Sequence, residues 1–378
     1  MTRATPAVPP MQSISPDQVE LPVGADSLGA RYLASRTTRL AIIACAFVLL
    51  MGAALSVTVR GIHETGMADL LRVIASHASF GAISASLDAQ SELVLLHLRL
   101  PRVVMAMIAG AALSVAGVLM QAITRNPLVS PYTIGVSSAA AFGAAVAIMF
   151  GVGLTGAGIY FIPLTAFVFA LIAATAVFSM SWWRNMGPQA MILTGIALMY
   201  LFSAMTAAVQ FIATEQQLAR VVHWTFGSLN GVRWPAVVIC AGVLAVVLPV
   251  MQAQAWKLNV LTVAGDDVAH SLGVHVARLR AMAIVLAVVA AASVISFLGV
   301  IGFVGLIGPH VARMMIGGDH RYLLPFAAIT GAALLLAADT IGRLAFAPVV
   351  VPVGIVVAFV GVPLFLHLIL SRQRTNYA

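Results

Sequence analysis

Charged residues are scarce in this sequence. Asp, Glu, Lys and Arg make up only 8% of its 378 residues, whereas a soluble domain usually carries about 25%. A water-soluble fold of this size could not cover its surface with so few charges, but a lipid bilayer removes that need because positions that face lipid must be apolar. With 61% hydrophobic residues and a mean hydropathy of +1.04, the sequence predicts an all-α, polytopic membrane protein.

A nucleotide-hydrolysing site is also missing from the sequence. A phosphate-binding P-loop requires the pattern Gly-x-x-x-x-Gly-Lys-Ser/Thr. The single lysine, Lys257, follows Trp256 and precedes Leu258, so it does not fit this pattern. No other catalytic constellation is present. We therefore expect that the chain is not an enzyme and does not hydrolyse a nucleotide by itself.

Cysteine is nearly absent, and histidine does not cluster. The two cysteines, Cys45 and Cys240, lie inside apolar runs, where they fit small core residues better than a disulfide or a metal site. The nine histidines are scattered along the chain. The sequence therefore predicts neither a cofactor nor a metal site.

The net charge of +8 could indicate nucleic-acid binding. However, the basic residues form no patch or stripe and instead punctuate the apolar runs. This spacing is typical of topology signals at a membrane surface. We therefore expect membrane lipid, and no nucleic acid, as a partner.

Apolar runs of about 20 residues are long enough to cross a bilayer as helices. The sequence contains about ten of them. They lie at residues 40–59, 103–121, 132–150, 159–180, 190–212 and 235–255, at two helices within 281–316 divided near 299–302, and at 323–344 and 353–370. Residues 1–39 are polar and rich in Pro, Ser and Arg, which predicts a disordered cytoplasmic tail. Residues 40–372 form one predicted transmembrane domain.

The distribution of basic residues predicts the orientation of the helices. With the N-terminus inside and an even number of spans, 13 of the 20 Lys and Arg residues fall on the inside. The seven outside are Arg60, Arg72, Arg99, Arg102, Arg220, Arg233 and Arg343. This bias predicts cytoplasmic N- and C-termini.

The predicted inner loop 256–280 is the only substantial cytoplasmic connection. Within it, Val268 and Leu272 lie one helical turn apart, and Gly273 separates two predicted short helices. Asp residues stand where a helix N-terminus favours negative charge, and Arg residues stand near a C-terminus. This pattern favours a docking element; the alternative is a helix that lies on lipid headgroups.

Asp339 is the one acidic residue placed well inside a predicted span, where charges are costly and usually paired or functional. Arg343 follows four residues later on the same helical face. A local ion pair is one interpretation and a proton relay is the other. A relay normally needs more than one buried acid, so we favour the ion pair.

Short motifs in a fixed order resemble those of the FecCD-type permeases, which import ferric siderophores, haem and cobalamin. They are Arg-Leu-Pro-Arg at 99–102, Gly-Ala-Ala-Leu at 110–113, Gly-Val-Leu-Met-Gln at 117–121, Arg-Asn-Pro-Leu at 125–128, Gly-Val-Ser-Ser at 135–138, Trp-Thr-Phe-Gly-Ser-Leu at 224–229, the loop 265–273, Gly-Phe-Val-Gly-Leu at 302–306, Pro-His-Val-Ala-Arg at 309–313 and Pro-Val-Gly-Ile at 352–355. The resemblance covers about residues 40–372. The sequence departs from the family at two places: Val300 replaces a proline that the family usually has, and Val349, Val350 and Val351 stand where an acidic residue often precedes the Leu-Pro-Val-Gly motif.

This resemblance implies an ABC importer permease of the large (type II) kind in the bacterial cytoplasmic membrane. Two permease subunits, identical or paralogous, would enclose a path, with two separate ATPase subunits inside and a substrate-binding protein outside. An iron siderophore is the expected substrate, with haem or cobalamin as alternatives. The implied sites are an ATPase-coupling loop with Asp266, Asp267, Val268, Leu272, Gly273, Val276 and Arg278; binding-protein docking by Arg99, Arg102 and Arg343; and a cytoplasmic gate at Pro188 and Gln189.

An ion-coupled secondary transporter is the alternative of another class, because such proteins can also have ten helices. A secondary transporter would need several ionisable groups inside the membrane and no docking loop. The single intramembrane acid and the patterned inner loop both favour the ABC permease.

Overall fold

The computed structural model describes residues 25–59, 70, 72, 89–150, 160–183, 188–345 and 348–374. The chain divides into two compact units, residues 1–42 and 43–378. In the first unit, helical structure begins at Ala25, inside the segment 1–39 predicted as a disordered tail. The sequence from this point contains several Ala, Leu and Arg residues, which favour helix. Residues 1–24 of the predicted tail lie outside the described residues.

The described residues form thirteen α-helices and no strand. The helices are α1, Ala25–Val59; α2, Ala89–Val94; α3, Leu100–Thr124; α4, Val136–Met149; α5, Phe161–Trp183; α6, Pro188–Ile212; α7, Glu215–Thr225; α8, Trp234–Ala253; α9, Ala255–Ser271; α10, Val276–Leu298; α11, Val304–Ile316; α12, His320–Leu344; and α13, Val353–Arg374. A π-helical turn, Leu95–Arg99, joins α2 to α3, and a 3-10 turn, Pro131–Ile134, precedes α4.

The predicted membrane spans are confirmed as helices. Among the described residues, seven helical segments are long and apolar enough to cross a membrane, and three shorter apolar helices accompany them. The long segments are α1, the continuous α2–α3 segment, α5, α6, α8, α10 and α12, and the short ones are α4, α11 and the first part of α13. These ten correspond to the ten predicted spans.

Two further helices lie where the sequence analysis predicts no span. Helix α7 starts after Thr214, whose side chain and that of Gln217 each accept a hydrogen bond from the other's backbone N–H. This reciprocal capping box stabilises a helix that is too short and too polar to be recognised as a span. Helix α9 covers most of the predicted inner loop 256–280, so that segment is more helical than the sequence indicates.

Helix α3 forms the core of the second unit. Every residue from Ala109 to Thr124 is buried, and α12, α10, α11 and α8 all pack against this helix. Most of these residues are Ala, Gly, Val, Ser or Leu. Small residues allow helix backbones to approach closely, which is how helices associate where lipid provides little hydrophobic driving force.

The closest approaches of α3 are made by glycine on both sides. A Cβ atom added at Gly110 would overlap the carbonyl oxygen of Gly331 in α12, and one added at Gly331 would overlap the carbonyl oxygen of Gly110. Seven residues further along α3, a Cβ atom at Gly117 would overlap the carbonyl oxygen of Gly305 in α11. These two crossings fix how α11 and α12 lie on α3.

The chain is interrupted between α10 and α11, at the position near 299–302 where the sequence predicts a division. The Tyr132 hydroxyl donates to the carbonyl of Ile301 and accepts from the Ile301 N–H at 3.1 Å. The N–H of Ser228 donates to the carbonyl of Leu298 at 2.7 Å. The backbone N–H and C=O groups of a non-helical segment at membrane depth need hydrogen-bond partners in the surrounding protein, and these bonds provide them.

Candidate functional site

Asp339, near the end of α12, accepts hydrogen bonds from Arg102, in the first turn of α3. The Arg102 Nε atom lies 3.0 and 3.1 Å from the two carboxylate oxygens, and Nη2 lies 2.7 Å from Oδ1. The Asp339 side chain is 1% exposed. A guanidinium that holds a carboxylate through two nitrogens fixes both its distance and its orientation. The pair therefore ties the first turn of α3 to α12.

Arg343 completes this cluster. Its Nε atom lies 3.3 Å from Asp339 Oδ2, which confirms the predicted i,i+4 ion pair. Arg102 also donates from Nη1 to Asn230 Oδ1 at 2.5 Å. The sequence analysis missed the Arg102 contact because 237 positions separate Arg102 from Asp339. Helical periodicity reports only neighbours within one or two turns.

Arg99 lies at the same end of the molecule. Its Nη1 atom donates to the carbonyl oxygens of Thr58 and Val59, at 3.3 and 3.2 Å. These carbonyls belong to the last turn of α1, where a cation is favourable because the helix leaves its final carbonyls unpaired. Arg102 and Arg343 meet at Asp339, and Arg99 lies three residues before Arg102. The structure thus brings together the three arginines that the sequence analysis places in one docking site.

The opposite end of α3 carries a second ion-pair cluster, centred on Asp266 in α9. Arg280 donates from Nη1 and Nη2 to the two Asp266 oxygens at 2.8 and 2.9 Å. Arg125 Nη2 lies 3.4 Å from Asp266 Oδ1. Arg280 also donates from Nε to the carbonyl of Ile123, in the last turn of α3, at 3.3 Å. Asp266, which the sequence analysis places at a helix N-terminus, therefore pairs with two arginines from neighbouring elements.

Helix α9 bends immediately before Asp266. Gly265 has φ 83° and ψ −176°, so the segment from Asp266 to Ser271 leaves the axis of the first part of the helix. Arg125 has a left-handed φ of 50° where α3 ends, and one of its terminal nitrogens packs close to Gly265. Gly273, with φ 79°, follows the end of α9 and separates it from α10, as predicted.

An apolar surface follows this bend, and Val268 and Leu272 define it; we call it the docking surface, after the docking element that the sequence pattern predicts. The two side chains are 47% and 55% exposed, although Ala269 and Val274 beside them are buried. Of the other predicted coupling residues, Asp267, Gly273 and Arg278 are exposed and Val276 is half-buried. The segment thus has one face packed on the protein and one apolar face turned outward.

A cavity of about 550 Å³ opens beside the first part of α9, and its polar lining side chains include Gln121, Arg125, Asn259, Arg313 and Asp319. Arg313 donates to Gln121 Oε1 at 3.0 Å, and Asn259 donates to Asp319 Oδ1 at 2.7 Å. Burial tends to raise the pKa of Asp319, but hydrogen bonds from Arg321 and Asn259 lower it to about 2. Asp319 is therefore ionised at neutral pH. The periodicity of the sequence gives no signal for this cavity, because four separate elements form it.

The two predicted gate residues lie at the start of α6. Pro188 is the first residue of the helix, a position where its missing N–H costs nothing. Gln189 is exposed. Residues 184–187, which precede Pro188, lie outside the described residues. In the part of the chain that the structure describes, no group of three or more His, Cys, Asp or Glu side chains could hold a metal ion.

Comparison with known proteins gives a consistent result. The sequence matches the model of the FecCD transport family over residues 40–371. A Methanocaldococcus jannaschii protein assigned as an ABC transporter permease is 45% identical over 290 residues, 75% of this chain and 83% of that protein. The hemin transport system permease protein HmuU of Yersinia pestis is 38% identical over 280 residues, 74% of this chain and 83% of HmuU. A solved structure assigned as a metal-chelate type ABC transporter, inward-facing, has a TM-score of 0.76 at 31% identity and covers 87% of this chain and 99% of its own.

Proposed function

The chain belongs to the FecCD transport family as an ABC importer permease, and we propose that it carries an iron chelate, a ferric siderophore, across the bacterial cytoplasmic membrane. Hemin, named for the Yersinia pestis relative, and the metal chelate named for the solved structure both support a chelated metal. Haem and cobalamin are the alternatives within the family. ATP hydrolysis is proposed to occur on a separate partner subunit.

The observation that carries the ABC mechanism is the docking surface itself. Val268 and Leu272 are half exposed on a segment held by ion pairs, which is what a site for a cytoplasmic partner requires. An ion-coupled transporter needs no such surface and needs several buried ionisable groups. Among the described residues, Asp339 is the one buried acid, and its two arginine partners favour a structural role.

We propose that the Asp266 end faces the cytoplasm and the Asp339 end faces outward, with both chain termini inside. The bias of 13 inside against 7 outside basic residues, which sum to the 20 present, supports this orientation. The proposed assembly contains two ATPase subunits, a second permease subunit that is identical or paralogous, and an extracytoplasmic binding protein.

The substrate is tested with the complete transporter in lipid vesicles. The chain, its ATPase and its binding protein are reconstituted, and ATP-dependent accumulation of ferric siderophores, hemin and cobalamin is compared. We expect accumulation of at least one ferric siderophore and competition by that chelate alone. Accumulation of hemin or cobalamin in its place would replace the proposed substrate, and transport driven by an ion gradient without ATP would overturn the mechanism.

Replacing Leu272 with Asp should detach the ATPase subunit. Burial of a Leu side chain at an interface is worth about 1.5–3 kcal/mol, so copurification of the ATPase should fall at least about tenfold. Because Leu272 is 55% exposed, membrane insertion should be unchanged. Leu272→Met keeps an apolar side chain and should retain the ATPase. Normal assembly of the Asp variant would leave α9 as a lipid-surface helix.

The structure changes how the proposed binding-protein site must be tested. Arg102 and Arg343 both hold the buried Asp339, so reversing their charge would disturb the fold as well as the surface. Arg99, whose Nη1 atom donates to two backbone carbonyls at the end of α1, is the better target among the three. Opposite charges across an interface mainly accelerate association, and salt screens them.

We expect Arg99→Glu to slow association with the binding protein about tenfold at low ionic strength, with a smaller difference at high salt. The association rate constant is measured at two salt concentrations, with one of the two partners immobilised on a sensor surface. Arg233→Glu is the matched control, because Arg233 is exposed and lies beside Trp234, which hydrogen-bonds Leu96 near the same end. An equal loss in both variants would indicate a diffuse charge effect, and no loss in either would remove Arg99 from the interface.

We propose a cytoplasmic gate at Pro188 and Gln189, following the family resemblance and the start of α6 at this point. Gln189→Ala should allow preloaded substrate to leave vesicles without ATP, several-fold faster than from vesicles with the parent protein. Gln189 lies at a helix terminus, and residues at such positions take up the backbone change when a gate opens or closes. Gln210→Ala, near the other end of α6, is the control and should remain tight. Efflux equal to the parent in Gln189→Ala would place the gate elsewhere.

A further inference from the structure

Asp266 stands at the junction between the docking surface and the core of the protein. It is the first residue after the bend at Gly265, and Val268 and Leu272 follow within two helical turns. Its carboxylate is held by Arg280 of α10 at 2.8 and 2.9 Å and approached by Arg125 at the end of α3 at 3.4 Å. One side chain thus connects three elements.

We propose that Asp266 is a positioning residue that couples the docking surface to helix α3, through Arg280 and Arg125. This inference rests on the proposed ABC function. In that mechanism, force on Val268 and Leu272 must reach the membrane core. The segment from Asp266 to Ser271 is joined to the first part of α9 only through Gly265, whose conformation can act as a swivel. The ion pairs remove that freedom.

The route continues into α3 through two contacts. Arg280 donates from Nε to the carbonyl of Ile123, so the guanidinium that binds Asp266 also binds the last turn of α3. Arg125 ends α3 and packs close to Gly265. Helix α3 is buried from Ala109 to Thr124 and carries the Arg102–Asp339 pair at its other end. A displacement at Asp266 therefore acts on an element whose far end is fixed by that pair.

The exposure of these side chains indicates that Asp266 contributes more to the positioning of the docking surface than to folding stability. The side chains of Asp266, Arg280 and Arg125 are 38%, 24% and 42% exposed. Ion pairs with this much contact with water add little to folding stability. The docking surface does not include Asp266, so loss of its charge should leave the ATPase bound but weaken transmission of its movement.

The test uses the complete transporter with its ATPase and binding protein in lipid vesicles. Asp266→Asn is compared with Glu215→Gln, the same acid-to-amide change at an exposed position that takes part in none of the ion pairs found among the described residues. Two quantities are measured: ATPase subunit retained per permease, and ATP hydrolysed per substrate transported. Arg280→Gln and the double variant Asp266→Asn/Arg280→Gln complete a double-mutant cycle.

We expect Asp266→Asn to retain the ATPase but to raise ATP consumption per substrate about fivefold, the range seen when residues that couple sites are changed. Glu215→Gln should match the parent in both quantities. The double variant should be no worse than the more impaired single variant, because both remove the same contact. Unchanged coupling in Asp266→Asn, equal loss in Glu215→Gln, or loss of the ATPase itself would each overturn the proposal. If the parent complex shows no ATP-driven transport, the proposed function fails first.

Discussion

Replacement of Arg102 with Met is expected to destabilise the folded protein by about 3 kcal/mol, because removal of one partner from a buried ion pair leaves the other charge uncompensated. The remaining partner of Asp339, Arg343, is 3.3 Å away and approaches through Nε. It cannot replace the two-nitrogen contact that Arg102 makes at 2.7–3.1 Å. The measurement is thermal unfolding of the purified chain in detergent.

The triple variant Arg102→Met/Asp339→Leu/Arg343→Met distinguishes a lost attraction from a stranded charge, because Arg343 also pairs with Asp339. Replacing every member of a buried charge cluster with apolar residues is often neutral, so the triple variant should recover much of the stability. Arg233→Met, an exposed arginine at the start of α8, should unfold like the parent. If Arg102→Met also unfolds like the parent, the pair does not hold α3 to α12.

A single methyl group at Gly117 is expected to have an effect of similar size. In Gly117→Ala the new Cβ atom would overlap the carbonyl oxygen of Gly305, and a backbone atom cannot move aside as a flexible side chain can. Helix α11 must therefore shift away from α3, and overpacking of this kind costs about 1–3 kcal/mol, occasionally more. We expect a lower unfolding temperature and less chain in the membrane.

Gly242→Ala in α8 is the matched control, since nothing lies within 4 Å of a Cβ atom added there. Alanine is favoured over glycine inside a helix by about 0.5–1 kcal/mol, so this variant should be as stable as the parent or slightly more stable. Because the two substitutions should change folding stability differently, their comparison separates the effect of close packing from that of helix propensity. Equal stability of Gly117→Ala and the parent would contradict the observed crossing.

The sequence was sufficient to predict the features that depend on neighbouring positions. Apolar runs locate the ten spans, the interruption between α10 and α11 follows from Gly299–Gly302, and the pair of Asp339 with Arg343 follows from helical spacing. Each of these features is encoded within a few turns of one segment.

Features that join distant segments could not be predicted in this way. Arg102 and Asp339 meet because α3 and α12 cross, and Asp266 reaches Arg280 because α9 bends at Gly265. Helix α7 escaped recognition for another reason, since its capping residues are polar and its length is well below that of a span. The docking arginines and the gate came from family resemblance, the coupling loop came from its residue pattern and the resemblance together, and all three stay proposals.

The short length of α11 has a consequence for how the chain is made. Its thirteen residues, Val304–Ile316, extend only about 20 Å at 1.5 Å per residue, less than the roughly 30 Å of hydrocarbon in a bilayer. As it leaves the ribosome, this segment therefore cannot settle in lipid as an independent unit. It is held in place by the close packing of Gly305 against Gly117 and by the hydrogen bonds between Tyr132 and Ile301. Biogenesis of this region thus depends on segments synthesised much earlier, which must remain available until the last third of the chain arrives.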